Sequence, residues 1–234
     1  MHIPRIKHLP IKLKLALSLV LAAGCFFPLT AISEEVGLFN SIEFQGKSIK
    51  ALPRWVRVLE KISEENQILK ACNSNFQNCP TPALIAWREF MVKHQAEEIV
   101  THQTLQDLND FVNQWAYITD MNNWGKSDYW ASPLEFMSNS GDCEDYAIMK
   151  YVALKGLGVS QSDMRIVVVQ DTVRDVAHAV LAVYLEGAKP FIMDSLFDTV
   201  LSHDKILQYI PHYSVNETTR WAHIMPIRKK EHDQ

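Results

Sequence analysis

The chain has 234 residues, a formal net charge of −4, 47% hydrophobic residues and 21% charged residues. This composition is that of a globular protein with a full core, and it argues against a disordered chain. The small acidic excess offers no basic surface to a nucleic acid, so we expect no nucleic-acid partner. The sequence also contains neither a glycine-rich phosphate-binding motif nor a His-Glu-x-x-His zinc motif.

Residues 1–33 are predicted to be an export signal or a membrane anchor. A basic stretch precedes an apolar run at residues 15–32, and Glu34 and Glu35 follow that run. This order of basic, apolar and polar regions is typical of an export signal. The basic residues are Arg5, Lys7, Lys12 and Lys14.

Three fates of this segment stay open. The small residues at 31 and 33 fit signal-peptidase cleavage before Glu34. The apolar run of about 18 residues is also just long enough to remain as a membrane anchor. Residues 22–25 form an imperfect lipobox, in which case Cys25 would carry a lipid. In each case we expect residues 34–234 to form one domain outside the cytoplasm, with membrane contact limited to the N-terminal segment.

The polar segment around Cys72 and Cys79 is predicted to contain a disulfide. Two cysteines this close together in an exported protein most often pair with each other. Closing so short a loop would stabilise the fold by about 2–3 kcal/mol on the chain-entropy account. The alternative is a zinc site that adds His94 or His102 to the two cysteines.

Residues 52 to 117 are predicted to be largely helical. Pro53 lies in the first turn of the first helix, where proline is tolerated. Thr81 and Pro82 open a second helix, and a third carries apolar residues from Leu105 to Trp115. Apolar side chains recur at helical spacing in all three helices, which we interpret as packing against a core.

The segment from 122 to 133 has no periodicity but is rich in aromatic residues, including Trp124, Tyr129 and Trp130. We predict a loop here. Because it leads directly into the motif described next, its aromatic side chains could line a substrate cleft, or they could cap the core.

Residues 141–147 (GDCEDYA) hold the one cysteine that lies outside the leader and the predicted disulfide. The spacing of the apolar residues that follow predicts a helix that begins at Cys143. Asp142 would be its N-cap, and Gly141 would allow a sharp entry. The free N–H groups and the dipole at a helix N-terminus favour a thiolate, so Cys143 is a candidate nucleophile. The alternative is that Cys143 is a small buried hydrophobe.

After residues 156–158 the pattern changes from helix to strand. Residues 165–169 form a continuous β-branched run, as expected for a buried strand. Residues 177–185 and 190–193 are apolar runs, and the turn predicted between them at 186–189 would make a hairpin.

His178 lies near the start of one arm of this hairpin, and Asp194 lies at the end of the other. Antiparallel pairing would bring both side chains to one edge of the sheet, where the carboxylate could orient the imidazole. A purely structural histidine is the alternative. The presence of Cys143 favours a catalytic set made of Cys143, His178 and Asp194.

This order of cysteine, histidine and aspartate resembles the transglutaminase-like cysteine-protease fold. More narrowly, the chain resembles the bacterial transglutaminase-like cysteine proteinases, the LapG-type periplasmic proteases. The resemblance covers most of residues 52–217 and departs from the family pattern at Ser195, where asparagine is common. The residues that carry it are 52–55, Trp124, Gly125, 128–130, Pro133, 141–147, Lys150, 178–181, 190–194 and 213–217.

The resemblance implies an α+β, papain-like fold in which N-terminal helices and the helix of the nucleophile pack on an antiparallel sheet. Cys143 would attack a peptide carbonyl, His178 would transfer the proton, and Asp194 would hold the imidazole in the right tautomer. The backbone N–H of Cys143 would stabilise the oxyanion, with the Trp130 indole as a weaker candidate.

The resemblance also implies calcium as a cofactor, held by carboxylates that flank the cysteine. The predicted ligands are Asp142 and Glu144, with Asp145 a less certain third. Hard carboxylate oxygens suit Ca²⁺, which would also offset the repulsion that these acids impose on a thiolate. The alternative is that Asp142 is only an N-cap and that Glu144 and Asp145 are first-turn acids favoured by the helix dipole.

For the substrate, the resemblance implies the N-terminal region of a large cell-surface adhesin, often at an Ala-Ala bond. Release of the adhesin would promote biofilm detachment. The implied partner is an inner-membrane receptor for cyclic di-GMP, which would sequester the protease.

Two other functions stay open. The same catalytic set could transfer an acyl group to an amine, as a transglutaminase does, or the fold could serve as a non-catalytic, calcium-dependent binding module. Amine incorporation would identify the transferase. Function that survives replacement of Cys143 would identify the binding module.

Overall fold

The computed structural model describes residues 37–226. The predicted export signal at residues 1–33 lies outside them. Between residues 37 and 226, no helix has the length and apolarity needed to cross a membrane.

The helical prediction for residues 52 to 117 is confirmed as three helices. The Thr81 hydroxyl caps the second helix by accepting the Leu84 N–H at 3.3 Å. Three further helices follow before the sheet is completed. In chain order they are α1 (Pro53–Ser74), α2 (Pro82–Gln95), α3 (His102–Val112), α4 (Asp120–Trp124), α5 (Pro133–Asn139) and α6 (Cys143–Gly156).

Both boundaries of the loop predicted from 122 to 133 are wrong. Its first residues belong to the short α4, which ends at Gly125 in a left-handed conformation with φ 62°. Its last residue, Pro133, is the first residue of α5, where Ser132 is the N-cap. A helix of five residues is too short to show a period of 3.6, so only the loop between these two helices was recognisable in the sequence.

Within residues 37–226, seven strands form one antiparallel sheet with the order β1-β7-β6-β2-β3-β4-β5. The two central strands, β2 and β3, are largely buried and apolar. The strands are β1 (Ile42–Gly46), β2 (Met164–Asp171), β3 (Val176–Val183), β4 (Phe191–Met193), β5 (Leu201–Ser202), β6 (Tyr209–Val215) and β7 (Arg220–Ile224).

The predicted hairpin is present as β3 and β4, with Leu181 opposite Met193. The predicted end of its first arm at residue 185 is wrong, because β3 ends at Val183. The connection is therefore longer than predicted and runs over residues 184–190. The pairing still places the start of β3 near the end of β4, which positions the candidate histidine and aspartate.

An apolar cluster covers each face of the sheet. On one face, α6 packs with the other helices, and the core there includes Trp55, Trp87 and Tyr151, each at most 2% exposed. On the other face a smaller cluster gathers around Phe39 and Tyr209. The fold is thus α+β, with helices packed on an antiparallel sheet, as predicted.

Cys72 and Cys79 form the predicted disulfide. Cys72 lies in the last turns of α1 and is fully buried, while Cys79 follows the short turn Phe76–Asn78. Because both sulfurs are bonded to each other, the alternative of a zinc site with His94 or His102 is wrong. The disulfide joins the end of α1 to the start of α2.

Candidate active site

Cys143 is the first residue of α6, as predicted, and Asp142 is the N-cap. The Asp145 carboxylate reaches back to accept the backbone N–H of Asp142 at 3.2 Å. Gly141 matters here because of space: a Cβ at this position would lie 2.1 Å from the Asp145 Oδ2 atom. Glycine therefore lets the carboxylate close against the start of the helix.

His178 and Asp194 meet at the end of the β3–β4 hairpin, where Nε2 of the imidazole lies 2.8 Å from Oδ1 of the carboxylate. The same carboxylate accepts the Leu196 N–H at 2.9 Å and the Tyr209 hydroxyl at 2.6 Å. Burial alone would raise the pKa of Asp194, but these hydrogen bonds and the imidazole outweigh it, so the pKa is lowered. An ionised carboxylate only accepts, so Nε2 of His178 is the donor.

One cleft of about 290 Å³ contains both Cys143 and His178. The Cys143 thiol donates to Oε2 of Glu144 at 3.2 Å, and the backbone N–H of Ala179, the residue after His178, acts to lower the pKa of that thiol. The cysteine at the helix start and the histidine on β3 are thus brought together. The other lining residues include Tyr117, Asp128, Trp130, Val168 and Tyr213.

A cluster of carboxylates lies beside the thiol. Candidate ligand atoms of Asp120, Asp142 and Asp145 lie within 4.8 Å of one another, and so do those of Asp120, Asp128 and Glu144. The cluster includes the predicted ligands Asp142 and Glu144 and the less certain Asp145. Asp120 and Asp128 were not predicted, because they reach the site from α4 and from the loop that follows it.

The burial and close approach of these carboxylates change the pKa values of the ionisable groups around Cys143. Burial, reinforced by Asp142, raises the pKa of Glu144 to about 9. Burial likewise raises the pKa of Asp145 to about 8 and that of Asp120 to about 6. Burial and the charges of Glu144 and Asp142 raise the pKa of the Cys143 thiol. The expected helix-dipole effect on the thiolate is therefore outweighed by burial and by the acids.

The cluster has the chemistry of a cation site. Among the described residues, Oδ1 of Asp120 and Oδ1 of Asp142 are buried and have no hydrogen-bond partner. Buried acceptors of this kind normally have partners, and a hard cation such as Ca²⁺ would supply one. Asp145 differs, because its two oxygens accept the N–H groups of Ala131 and Asp142 at 2.6 and 3.2 Å. We therefore assign Asp145 a structural role, in which it binds the backbone just before α5 and at the start of α6.

Lys150 is a buried charged group that connects α6 to the histidine–aspartate pair. Its Nζ donates to Oδ1 of Asn109 and of Asn113, both at 2.8 Å, and to the backbone carbonyl of Asp194 at 3.0 Å. Burial lowers the pKa of Lys150 to about 7. Three acceptor oxygens nevertheless match the three N–H donors of the ammonium form, so the network stabilises the charged lysine.

The fold and this site are those of a papain-like cysteine protease. The family model of bacterial transglutaminase-like cysteine proteinases matches residues 61–229, and the chain belongs to this family. No curated protein sequence matches the chain at a significant level.

Solved structures agree with this family. Legionella pneumophila LapG is 31% identical, with a TM-score of 0.56 over 67% of this chain and 86% of that chain. A calcium-bound LapG from the same organism is 32% identical, with a TM-score of 0.57 over 67% and 86% of the two chains. An EGTA-treated LapG is 31% identical, with a TM-score of 0.56 over 67% and 84%.

Proposed function

We propose that this cysteine protease is a periplasmic, calcium-dependent endopeptidase in which Cys143, His178 and Asp194 form the catalytic triad. The observation that carries the proposal is the convergence on one cleft of a free thiol, an aspartate-held imidazole and a carboxylate cluster. No other arrangement in residues 37–226 combines these features.

The hydrogen bond to Asp194 decides how His178 would act. Because Nε2 is held by the carboxylate, Nδ1 is the nitrogen that would take the proton of the Cys143 thiol. The thiolate sulfur would then form a bond to the carbonyl carbon of the substrate. The carbonyl oxygen would become an oxyanion, which the backbone N–H of Cys143 would stabilise. Trp130 lines the same cleft and stays a weaker candidate donor.

The second half of the reaction returns the site to its starting state. As the C–N bond breaks, the imidazolium of His178 would give its proton to the leaving amine, which leaves a thioester on Cys143. Water would then attack the thioester and lose a proton to Nδ1. The released sulfur would regain that proton, so hydrolysis balances without any further reactant.

Asp120, Asp128, Asp142 and Glu144 would hold calcium, because together they offer several acidic oxygens, two of them buried without a protein partner. When bound, the ion would supply positive charge that favours the ionised forms of the neighbouring acids and of the thiol. The LapG structures support calcium, since one of them is described as calcium-bound.

We further propose that the substrate is the N-terminal region of a large cell-surface adhesin, whose release promotes biofilm detachment. An inner-membrane receptor for cyclic di-GMP would sequester the protease. These proposals rest on the family resemblance and on the expected export of the chain.

The test is cleavage of an adhesin N-terminal fragment by purified residues 34–234, with calcium, with a chelator, and with the Cys143→Ala variant. We expect cleavage that requires both calcium and Cys143. Cleavage that survives chelation would leave the protease and remove the metal requirement. If a folded protein cleaves nothing, or incorporates an amine faster than it hydrolyses peptide, the endopeptidase proposal is wrong.

A further inference from the structure

The first described segment of the chain, residues 37–46, is made of a short turn and the edge strand β1, and the turn places Leu38 and Phe39 in the apolar cluster on the face of the sheet opposite α6. The segment lies outside the range matched by the family model, which begins at residue 61. Leu38 and Phe39 are only 1% and 3% exposed, although they precede the first strand. Their burial makes this segment part of the folded domain.

The conformation of Phe39 shows how firmly the segment is held. Its φ of 54° lies in the left-handed region that bulky residues rarely adopt. The Phe39 N–H donates to Nδ1 of His203 at 2.9 Å, and the Ser41 hydroxyl donates to the Leu38 carbonyl at 2.7 Å. These buried hydrogen bonds hold a backbone conformation that is unfavourable on its own.

The ring of Phe39 packs edge-on against Tyr209, with the ring centroids 5.9 Å apart. Tyr209 is 2% exposed, and its hydroxyl donates to Oδ2 of Asp194 at 2.6 Å. The other oxygen of Asp194 accepts from His178, whose ring lies 5.7 Å from that of Tyr209. Contacts therefore run without a gap from the N-terminal segment to the imidazole.

Tyr209 is the first residue of β6, so its backbone continues into the strand only on its C-terminal side. The position of its side chain therefore depends on the groups that contact the ring and the hydroxyl. Beyond the hydrogen bond, its ring contacts the aromatic rings of Phe39 and Phe197 as well as the imidazole of His178. Removing the Phe39 ring would open a cavity into which Tyr209 could move, and its hydroxyl would then leave Asp194.

We propose that Tyr209 is a positioning residue for Asp194, and that Phe39 holds Tyr209 in place. The triad geometry would then depend on a residue that the family model does not include. The proposal rests on the role proposed above for Asp194.

The first test is spectroscopic and does not depend on a substrate. The full chain, labelled with ¹⁵N-histidine, should show the hydrogen-bonded Nε2–H proton of His178, assigned by its loss in His178→Gln. We expect this resonance to shift or broaden in Phe39→Leu and in Tyr209→Phe. It should stay unchanged in the matched control Phe44→Ala, because Phe44 belongs to the same segment but is 54% exposed. Phe39→Leu is chosen because it keeps an apolar side chain and is expected to fold.

The second test is a double-mutant cycle on cleavage of the adhesin fragment. Each single variant should lower kcat by about tenfold, as removal of an orienting partner does, with KM unchanged. If Phe39 acts through Tyr209, the variant with both substitutions should be no slower than Tyr209→Phe alone.

Either of two results would overturn the proposal: an unaltered His178 resonance in Phe39→Leu, or effects of the two substitutions that multiply. Failure of the proposed function looks different. In that case Cys143→Ala would retain activity, or the wild type would not cleave, while the resonance would still respond to Phe39.

Discussion

Asp120 and Asp145 belong to the same acidic cluster but use their oxygens differently. Oδ2 of Asp120 accepts the Tyr129 N–H, and Oδ1 is buried without a partner in the described part of the chain. Both oxygens of Asp145 are occupied by backbone N–H groups. Replacing the two residues should therefore separate cation binding from local structure.

We expect Asp120→Asn to weaken calcium binding about tenfold or more, because a ligand loses its charge. Asp145→Asn should chiefly lower the free energy of unfolding, by about 1–3 kcal/mol, because an amide cannot accept with both of its atoms. Titration calorimetry and denaturant unfolding would measure the two effects, with Asp110→Asn as an exposed control on α3. Equal loss of calcium affinity in both variants would contradict the assignment.

Single residues were predictable where a local pattern marked them. Cys143 follows an N-cap, His178 lies in one arm of a hairpin and Asp194 directly follows the other arm, so neighbouring sequence was enough to find them. Asp120 lies 22 residues before Asp142, and no local pattern indicates that the Asp120 N–H donates to the Asp142 carboxylate at 3.1 Å. Tyr209 likewise reaches Asp194 only through the order of strands in the sheet.

At the scale of elements, α6 carries Cys143 at one end and Lys150 about two turns later. Lys150 binds two asparagines, at the end of α3 and just after it, and the Asp194 carbonyl. The side chain of Asn113 also donates to that carbonyl, at 2.9 Å. The helix of Cys143 is thereby fixed to the residue that orients His178.

We expect Lys150→Met to lower the free energy of unfolding by about 3 kcal/mol, because buried oxygens lose their donor. It should also lower kcat, since the backbone at Asp194 is no longer held. The control is Lys155→Met on the same helix. The side chain of Lys155 is 48% exposed, and the loss of its ion pair with Glu217 should cost less than about 1 kcal/mol. Equal effects on unfolding and kcat in the two variants would refute this role.

The elements themselves were predictable to different degrees. The long helices and the buried strand β2 show clear periodicity or β-branched runs, and their positions agree with the sequence prediction. Strands β1, β5, β6 and β7 were not recognised, because β1, β5 and β7 have five residues or fewer and β6 contains Pro211. They are strands because they pair with neighbours distant in the sequence or with short partners, β1 with β7, β6 with β2 and β7, and β5 with β4.

At the scale of the whole molecule, calcium and protons should compete for the same carboxylates. The raised pKa of Glu144, about 9, means that the metal-free site holds a proton at neutral pH, and the pKa of Asp120, about 6, means that this carboxyl is protonated below pH 6. Where folding raises the pKa of a carboxyl, the protonated carboxyl stabilises the folded state, and this stabilisation is fully present at pH values below the pKa in the unfolded chain. It is lost as the pH rises through the pKa in the folded protein. Calcium binding would release these protons, so its affinity should increase with pH.

We therefore expect the rise in Tm caused by calcium, relative to chelator, to grow from pH 5 to pH 9. Thermal unfolding at each pH with calcium and with EGTA would measure it, and the difference cancels groups remote from the site. In Glu144→Gln the rise should be smaller and depend less on pH. A calcium effect that is constant over this range would contradict the proposed ligands.

The order of the sheet has a consequence for solubility. Its two edges are β1 and the two-residue β5, and β1 alone separates β7 from the edge. A chain shortened to begin after residue 46 would expose the backbone N–H and carbonyl groups of β7, including the strand around Trp221. Unpaired edges of this kind recruit strands from other molecules. Removal of residues 37–46 would therefore unpair β7 and also uncover the apolar cluster that contains Leu38, Phe39 and Tyr209, so we expect the shortened chain to aggregate more readily.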